Sequence, residues 1–436
     1  MRRTTNGGSV DQQPGVPVTG KFVVAQVSAL GWLGLSALLS LPWVRELATT
    51  ITVVPAILVV GFVAYLPGWL VAARNEADRI QETISYIAGQ DCPGPGPAPL
   101  PIATNRLGLA TPPGPGGPAM KAFVYEKYGP PETLRLAEVD KPSPDADHVL
   151  VKVRAASVNA ADWHVLRGKP LFSRATLGLL RPKRQVLGVD IAGQVEAVGS
   201  GVTRFQPGDE VYANLLDHGY GGFAEYVSAP VDVMSLKPPS LSFEEAAAVP
   251  MAAATALQGL RRHGELQPGQ RVLINGASGG VGSFAVQLAK AYGAEVTAVT
   301  STRNLELVGS LGADHVLDYT TTDALGGGQR YDLILDTVGN RSVPDLKGGL
   351  AQGGKAAVTG FTSVAKLLAV SLRGGKDIAQ VQAHVTTRDL ELLSELIEAG
   401  KVRPQIDRRY RFTEIPAAIA YLEQGRARAK VVAEVG

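Results

Sequence analysis

The stretch that decides the fold is RVLINGASGGVG, residues 271–282. Its first five residues, Arg271–Asn275, form the short apolar run of a buried β-strand, and a turn rich in glycine follows. From Val281 the apolar side chains recur at helical spacing as far as Gly293, which is placed to end the helix. A strand, a glycine turn and a helix in this order present backbone N–H groups and the positive end of the helix to a phosphate.

A second β-strand is predicted directly after that helix, at Glu295–Val299. A glycine-rich turn alone also occurs between ordinary strands and helices, whereas the complete strand–turn–helix–strand pattern is typical of dinucleotide binding. The pattern therefore predicts a dinucleotide site. Its predicted contacts in the turn are Gly276, Ala277, Gly279, Gly280, Val281 and Gly282.

Length and composition indicate a globular protein with at least two domains. The chain has 436 residues, of which 45% are hydrophobic and 19% are charged, and these proportions are close to globular averages. The formal net charge of +2 gives no indication of nucleic-acid binding. A single cysteine, Cys92, excludes an intrachain disulfide bond and any zinc site built from several cysteines.

The N-terminal part has the composition of a membrane anchor. Residues 1–21 form a polar tail, and neither Phe22–Val44 nor Leu47–Ala73 contains a charged residue. Each run exceeds the roughly 20 residues that a helix needs to cross a bilayer. We predict a transmembrane helical hairpin over 22–88 with both ends in the cytoplasm, because basic residues flank both ends of the hairpin. A linker rich in proline and glycine follows at 89–119.

Two alternatives to the anchor stay open. The apolar runs could form a helical hairpin outside a membrane. Alternatively, the segment could be a fusion or the product of a gene start placed too far upstream, because Met120 begins a stretch that resembles a natural start of the downstream enzyme. The expected location is therefore the membrane with the catalytic part in the cytoplasm, or the cytoplasm alone if translation starts at Met120.

The rest of the chain changes from a β pattern to a βα pattern. Residues 120–248 contain short apolar runs with regular turns, which predict a barrel-like β domain. Residues 249–380 alternate strands and helices, which predicts a doubly wound parallel sheet, so the fold class is α/β. Residues 381–436 return to complete the β domain through a last strand at Val431–Val435. The predicted strands of the parallel sheet are 271–275, 295–299, 315–318, 331–336 and 355–359.

Motifs in a fixed order make residues 120–436 resemble the medium-chain dehydrogenase/reductase superfamily, in its zinc-independent quinone oxidoreductase branch. They include ASVNAADWHVLRG (156–168), LGVDIAGQVEAVGSGVTRFQPGDEVYA (187–213), GGFAEYV (221–227), NGASGGVGSFAVQLAKAYGA (275–294) and DLILDTVGN (332–340). The resemblance implies a GroES-like catalytic domain around a Rossmann domain, with the nicotinamide in the cleft between them. Such proteins are often homodimers, so a homodimer is one expected assembly.

We expect no catalytic metal. Zinc-dependent members of the superfamily have a Cys near the first motif and a Gly-His-Glu in the second. This chain has Asn159–Asp162 at the first position and Gly188-Val189-Asp190 at the second. Zinc needs three or four converging N, S or O ligands, and His164, Asp162 and Asp190 are the nearby candidates. Without a Lewis acid, the remaining chemistry is hydride donation to an acceptor that is already electrophilic.

The residues after the second strand of the parallel sheet predict NADPH. An NAD site usually has a carboxylate there for the ribose hydroxyls, whereas this chain has Thr300 followed by Ser301 and Arg303. A hydroxyl and a guanidinium suit a 2′-phosphate, and the resemblance adds Tyr319 as a further phosphate contact. Ser301 would alternatively be a helix N-cap and Arg303 a solvated first-turn residue.

The resemblance also supplies candidates for the chemical step. Asn159 matches a residue beside the nicotinamide and the acceptor, and Thr255 matches one that faces the nicotinamide. Gly339 and Gly360, at strand ends, are expected to leave room for the ring. Tyr220 is a second candidate catalytic residue because its loop could edge the cleft. Asp162 is a further candidate polar group, or a structural turn or cap residue, and His164 is a candidate proton donor, or a packed or surface residue. Water is an adequate proton source in each case.

The sequence therefore predicts an NADPH-dependent, zinc-independent oxidoreductase that transfers hydride to a quinone or an α,β-unsaturated carbonyl. Its expected partners are a small lipophilic electrophile and the membrane, and no nucleic acid. An enoyl-thioester reductase is the alternative within the same fold. A sensor or scaffold that binds NADPH without turnover is the alternative from another class of protein.

Overall fold

The structure is a computed structural model that describes residues 118–436. The predicted tail (1–21), the predicted membrane hairpin (22–88) and almost all of the predicted linker (89–119) lie outside the described residues. Among residues 118–436, no helix combines the length and the apolar character that a membrane span requires.

Strands and helices divide between two sheets. The strands are β1 (Ala119–Val124), β2 (Arg135–Asp140), β3 (His148–Val158), β4 (Asp190–Val198), β5 (Glu210–Asn214), β6 (Tyr226–Pro230), β7 (Met234–Leu236), β8 (Arg271–Asn275), β9 (Glu295–Thr300), β10 (His315–Asp318), β11 (Tyr331–Asp336), β12 (Leu350–Val358), β13 (Ile378–Gln380), β14 (Ile406–Arg411) and β15 (Lys430–Glu434). The helices are α1 (Ala160–Arg167), α2 (Arg174–Leu177), α3 (Phe243–Ala247), α4 (Pro250–Gln258), α5 (Gly280–Ala291), α6 (Leu305–Ser310), α7 (Val343–Gly349), α8 (Val364–Arg373), α9 (Thr387–Glu398) and α10 (Ile415–Glu423).

The first sheet combines strands from both ends of the described chain. Its order is β14-β15-β3-β4-β5-β7, with β6 also paired to β3, while β1 and β2 form a separate antiparallel pair. The last strand, β15, runs antiparallel to β3, and Val431 lies opposite Val158. The C-terminal run thus pairs with the β domain, which is what its apolar sequence predicts. This pairing also brings Lys430 beside the start of α1.

The second sheet is parallel throughout and has the order β10-β9-β8-β11-β12-β13. The five predicted strands correspond to β8 through β12, which confirms the prediction of a doubly wound α/β unit. The sequence did not predict β13, because a strand of three residues is too short to show alternation. β12 also begins earlier than predicted, at Leu350, and its pairing with β11 contains an irregularity.

Both faces of the parallel sheet are buried. In β8, Val272 and Ile274 belong to one apolar core and Leu273 to another, as expected when side chains alternate between the faces of a strand. Phe284 of α5 packs into the first core and Leu346 of α7 into the second. Helices therefore cover both faces of the parallel sheet. α5 begins at the carboxyl end of β8, which is the edge where ligands bind in sheets of this kind.

Candidate active site

The glycine turn after β8 has the geometry of a phosphate-binding turn. Gly276 has φ +80°, a conformation that favours glycine, and Gly279 is the extended residue before α5. A Cβ atom on Gly282 would lie 2.2 Å from the carbonyl oxygen of Gly276, so only glycine allows this close helix–strand packing. The first-turn N–H groups of α5 have no partner within the helix, and together with the helix dipole they are suited to an anion.

A cleft of about 870 Å³ extends from this turn to the first sheet. Nine of the predicted site residues line it: Asn159, Thr255, Gly276, Gly279, Gly280, Val281, Ser301, Arg303 and Tyr319. Ala277 and Gly282 are buried in the packing of the turn rather than in the cleft wall. The structure thus brings together most of the residues that the sequence selected.

The end of β9 carries hydroxyl and amide groups. The Ser278 hydroxyl lies 2.8 Å from Thr300 Oγ1 and accepts a hydrogen bond from Asn304 Nδ2 at 2.9 Å. Arg303 donates to the carbonyl of Arg426 at 3.1 Å and lines the cleft. Ser301 lines the cleft and precedes a short helical turn, but its side chain makes no capping hydrogen bond to that turn.

The charge along the cleft favours an anion. Among the described residues that line it, Glu423 is the one carboxylate, and Arg167 binds both of its oxygens at 2.8 Å. Arg303, Arg341 and Lys430 are the cations of the wall. A phosphate at the end of β9 would therefore meet Arg303 and no free carboxylate, as expected for a 2′-phosphorylated cofactor.

A buried polar cluster supports the opposite wall, on the first sheet, and its members Asn159 and Lys430 line the cleft. We call Asn159, Asp190, Asn214 and Lys430 the Asp190 cluster. Lys430 Nζ donates to Asn159 Oδ1 at 2.6 Å and lies 3.6 Å from Asp190 Oδ2. Asn159 Nδ2 donates to the same oxygen at 3.0 Å. The carboxamide of Asn159 is thus fixed between a cation and an anion.

The other oxygen of Asp190 is equally well satisfied. It accepts hydrogen bonds from Asn214 Nδ2 at 2.7 Å and from the backbone N–H of Met251 at 3.0 Å. Burial raises the pKa of Asp190, while the Lys430 ammonium and the amide donors favour its ionised form. Burial likewise lowers the pKa of Lys430, and the carboxylate opposes that change. Each charge therefore stabilises the other inside the protein.

Asp162 has a structural position. Its two carboxylate oxygens accept the backbone N–H groups of Asn159, at 2.8 Å, and of Gly188, at 3.1 Å. It is fully buried, and this burial raises its pKa to about 7. Asp162 caps the first turn of α1 and bonds to Gly188, which lies just before β4. It therefore positions Asn159 and does not line the cleft.

Gly339 and Gly360 lie in contact with each other. A Cβ atom on Gly339 would lie 2.3 Å from the carbonyl oxygen of Gly360, so close packing of two strand ends explains both glycines.

The Thr255 hydroxyl donates to the carbonyl of Met251 at 2.6 Å within α4, and Thr255 lines the cleft.

Tyr220 and His164 lie apart from this wall. Tyr220 lines a separate pocket of about 240 Å³ with Arg184 and His218, and burial raises the pKa of its hydroxyl to about 12. His164 stacks on Trp163 with ring centroids 3.6 Å apart. Burial lowers its pKa, and Trp163, not His164, lines the cleft.

Lys430 is the cleft residue that the sequence analysis missed. It begins the strand β15, KVVAE, and a lysine at a strand end ordinarily indicates a solvated edge. The structure instead leaves it only 3% exposed. The sequence gives no local signal for this burial, because the partner that a buried charge needs lies on another strand.

Two sequence families match the chain. One, described as "Alcohol dehydrogenase GroES-like domain", matches residues 145–239. The other, described as "Zinc-binding dehydrogenase", matches residues 311–432.

Characterised relatives and a solved structure extend this match. The chain is 38% identical over 327 residues to the NADPH-dependent alkenal/one oxidoreductase, chloroplastic, of Arabidopsis thaliana, covering 72% of this chain and 79% of the relative. It is 37% identical over 326 residues to 2-methylene-furan-3-one reductase of Solanum lycopersicum, covering 72% and 78%. It is similar to the structure of the quinone oxidoreductase from Coxiella burnetii, with a TM-score of 0.66 and 30% identity over 73% of this chain and 100% of that one.

The chain therefore belongs to the medium-chain dehydrogenase/reductase superfamily, as its motifs predicted. It is an oxidoreductase enzyme with a GroES-like domain and a Rossmann-like parallel sheet. Its cofactor is NADP(H), in agreement with the position of Arg303 in the cleft wall near the end of β9.

Zinc, which one family description mentions, does not fit the residues at this site. Within residues 118–436, no group of three His, Cys, Asp or Glu side chains converges as a metal site. At the family's zinc position, Asp190 is bonded to amides and lies beside the Lys430 ammonium. A second cation there would meet repulsion and no thiolate or imidazole ligand.

Proposed function

We propose that the protein reduces quinones or α,β-unsaturated carbonyl compounds by hydride transfer from NADPH, without a metal. One observation carries the proposal: a single cleft joins the glycine turn, at Gly279–Val281, to a polar wall that contains Asn159 and Lys430. The described residues of that wall do not form a zinc site, so we expect an acceptor that is already electrophilic and needs no Lewis acid.

The residues of the chain act mainly by positioning. NADPH, when bound, supplies the hydride. The first turn of α5 and Arg303 would bind its phosphates, while Thr255 and Asn159 would flank the nicotinamide end. Hydride transfer depends on alignment and exclusion of water more than on reactive side chains. The rigid packing of Gly282 against Gly276 supports that alignment.

The apolar part of the wall supports a lipophilic acceptor. Val158, Trp163, Met251 and Leu422 line the same cleft as Asn159. Trp163 offers an aromatic face to a planar acceptor such as an enone or a quinone. The names of the relatives, an alkenal/one oxidoreductase and a quinone oxidoreductase, support the same substrate classes.

The test is NADPH consumption by the purified full chain with a panel of quinones, enals, enones and an enoyl thioester. Saturable turnover with quinones or enones is the expected result. Turnover confined to the enoyl thioester would replace this proposal by the thioester reductase. NADPH binding measured by calorimetry with no turnover on any acceptor would leave the sensor or scaffold.

We further propose that the predicted hairpin at 22–88 keeps the enzyme near lipophilic acceptors. The support is the sequence alone, namely two uncharged runs of membrane-spanning length. The test combines N-terminal mass analysis of the native protein with alkaline carbonate extraction of its membranes. A native chain that starts at Met120, or full release by carbonate, would contradict the anchor. Gel filtration in detergent would decide whether the enzyme is a homodimer.

A further inference from the structure

We propose that Lys430 is the proton donor that completes the reduction of an α,β-unsaturated carbonyl. This inference rests on the proposed function, because it concerns the step after hydride transfer. Reduction of an enone delivers hydride to the β-carbon and leaves an enolate, which needs a proton at the α-carbon.

Geometry places a proton on the cleft wall at Lys430. An ammonium has three N–H donors. Among residues 118–436, Lys430 Nζ contacts two acceptors, Asn159 Oδ1 at 2.6 Å and Asp190 Oδ2 at 3.6 Å. One N–H is left, and Lys430 lines the cleft beside Asn159. The structure therefore assigns this donor to a molecule bound in the cleft.

The other ionisable residues of the described wall are unsuited to this role. Arg303 and Tyr319 lie at the ends of β9 and β10, where the cofactor phosphate is expected. Arg341 is paired with Asp323 at 3.0 Å. The Glu423 carboxylate is held by Arg167, and a bidentate carboxylate has no proton to give.

The Asp190 cluster favours return of Lys430 to its protonated form after the proton is transferred. In the proposed step, hydride addition forms a C–H bond at the β-carbon and moves the C=C electron pair toward the carbonyl oxygen. The Lys430 N–H bond then breaks and a C–H bond forms at the α-carbon, which leaves a neutral amine. Solvent returns the proton, and the Asp190 carboxylate favours the recharged ammonium.

The experiment compares two acceptors on the full chain. An enone requires a proton to complete its reduction, whereas a nitroalkene accepts hydride to give a nitronate, an anion that is stable near neutral pH. We expect Lys430→Met to lower the ratio of enone to nitroalkene turnover by roughly 100-fold, the lower range of general acid catalysis. A purely structural role would lower both rates together and leave the ratio unchanged, and that result would overturn the inference.

Two further variants keep the test decisive if Lys430→Met does not fold. Lys430→Arg keeps the buried charge beside Asp190, yet a guanidinium does not release its proton near neutral pH, so the same fall in the ratio is expected. The double variant Asp190→Asn with Lys430→Met removes both buried charges together. Lys401→Met, an exposed lysine after α9, is the matched control and should keep the wild-type ratio.

The outcomes separate this inference from the proposed function. If wild-type protein reduces neither acceptor, the proposed function fails and Lys430 has no such step to complete. If wild-type protein reduces both acceptors and each Lys430 variant keeps the wild-type ratio, the proposed function stands and this inference is wrong.

Discussion

The two walls of the cleft are built in opposite ways. The wall on the parallel sheet includes residues close together in the sequence, Gly276 and Ser278–Val281, whose turn we propose as the phosphate site. The wall on the first sheet includes Asn159 and Lys430, which lie far apart in the sequence and are held by the buried side chains of Asp190 and Asn214. The first wall depends on glycines that leave the backbone accessible. The second depends on hydrogen bonds and an ion pair between buried side chains.

This difference indicates which kind of substitution should disrupt each wall. A backbone site fails when an added atom changes the path of the chain, which costs a moderate amount of free energy. A buried ion pair fails when one partner is removed, because the remaining charge is then unpaired in a medium of low dielectric constant. The two kinds of wall should therefore respond differently to single substitutions.

The largest effect is expected from Asp190→Ala. This change leaves the Lys430 ammonium buried and takes the acceptor from Asn159, Asn214 and the Met251 N–H. The free energy of unfolding should fall by about 3–5 kcal/mol, as measured by urea denaturation. The double variant Asp190→Leu with Lys430→Met should recover part of the loss. A loss below about 1 kcal/mol for the single variant would show that the pair is not buried as described.

A smaller effect is expected from Gly282→Ala in the backbone wall. The new Cβ would lie 2.2 Å from the Gly276 carbonyl oxygen and 2.7 Å from Ala277 Cα. Overpacking of this kind costs about 1–3 kcal/mol, so NADPH should bind roughly 10- to 100-fold more weakly by calorimetry. Gly309→Ala is the matched control, because a Cβ on Gly309 in α6 meets nothing within 4 Å. Equal affinities for the two variants would contradict the close packing of the turn.

Arg303→Ala tests the charge at the phosphate end of the same wall. Arg303 lines the cleft and its other contact is the Arg426 carbonyl. Losing one charge-assisted pair with the 2′-phosphate should raise the KM for NADPH by roughly tenfold and barely change the KM for NADH. Arg330→Ala is the control, because Arg330 is exposed and donates to the carbonyl of its neighbour Gln329. A similar rise for both cofactors would exclude a 2′-phosphate contact.

The smallest effect concerns an exposed ion pair, His384 with Asp217, whose atoms Nδ1 and Oδ2 are 2.9 Å apart. The hydrogen bond that His384 donates to the Asp217 carboxylate raises the pKa of His384 in the folded protein. The pair therefore stabilises the fold below about pH 6.5, and this contribution is lost as the pH rises through the folded-state pKa.

Asp217→Asn should accordingly lower the free energy of unfolding by a few tenths of a kcal/mol at pH 5.5 and leave it unchanged at pH 9. The side chains are 65% and 48% exposed, which limits the effect. Urea denaturation at the two pH values makes the comparison. A loss that is larger at pH 9 than at pH 5.5 would contradict the assignment.

The sequence by itself determined the fold and one wall of the cleft. Strand and helix periods, together with the glycines at 276–282, predicted the parallel sheet, the start of α5 and the place of the cofactor. These features are local: a turn is set by the φ angles and side-chain volumes of consecutive residues, and those properties can be read in order along the chain. The sequence also shows directly that no acidic residue follows Thr300 in Ser301–Asn304.

The tertiary structure alone decided the other wall. Nothing local distinguishes Lys430 from a solvated strand end, and its role exists only because β15 pairs with β3 and places Nζ beside Asn159. Tyr220 illustrates the reverse case, since its loop looked close to the cleft in the sequence and lies in a separate pocket. Side-chain pairing across long sequence separations depends on distance in space, and a single sequence does not contain that distance.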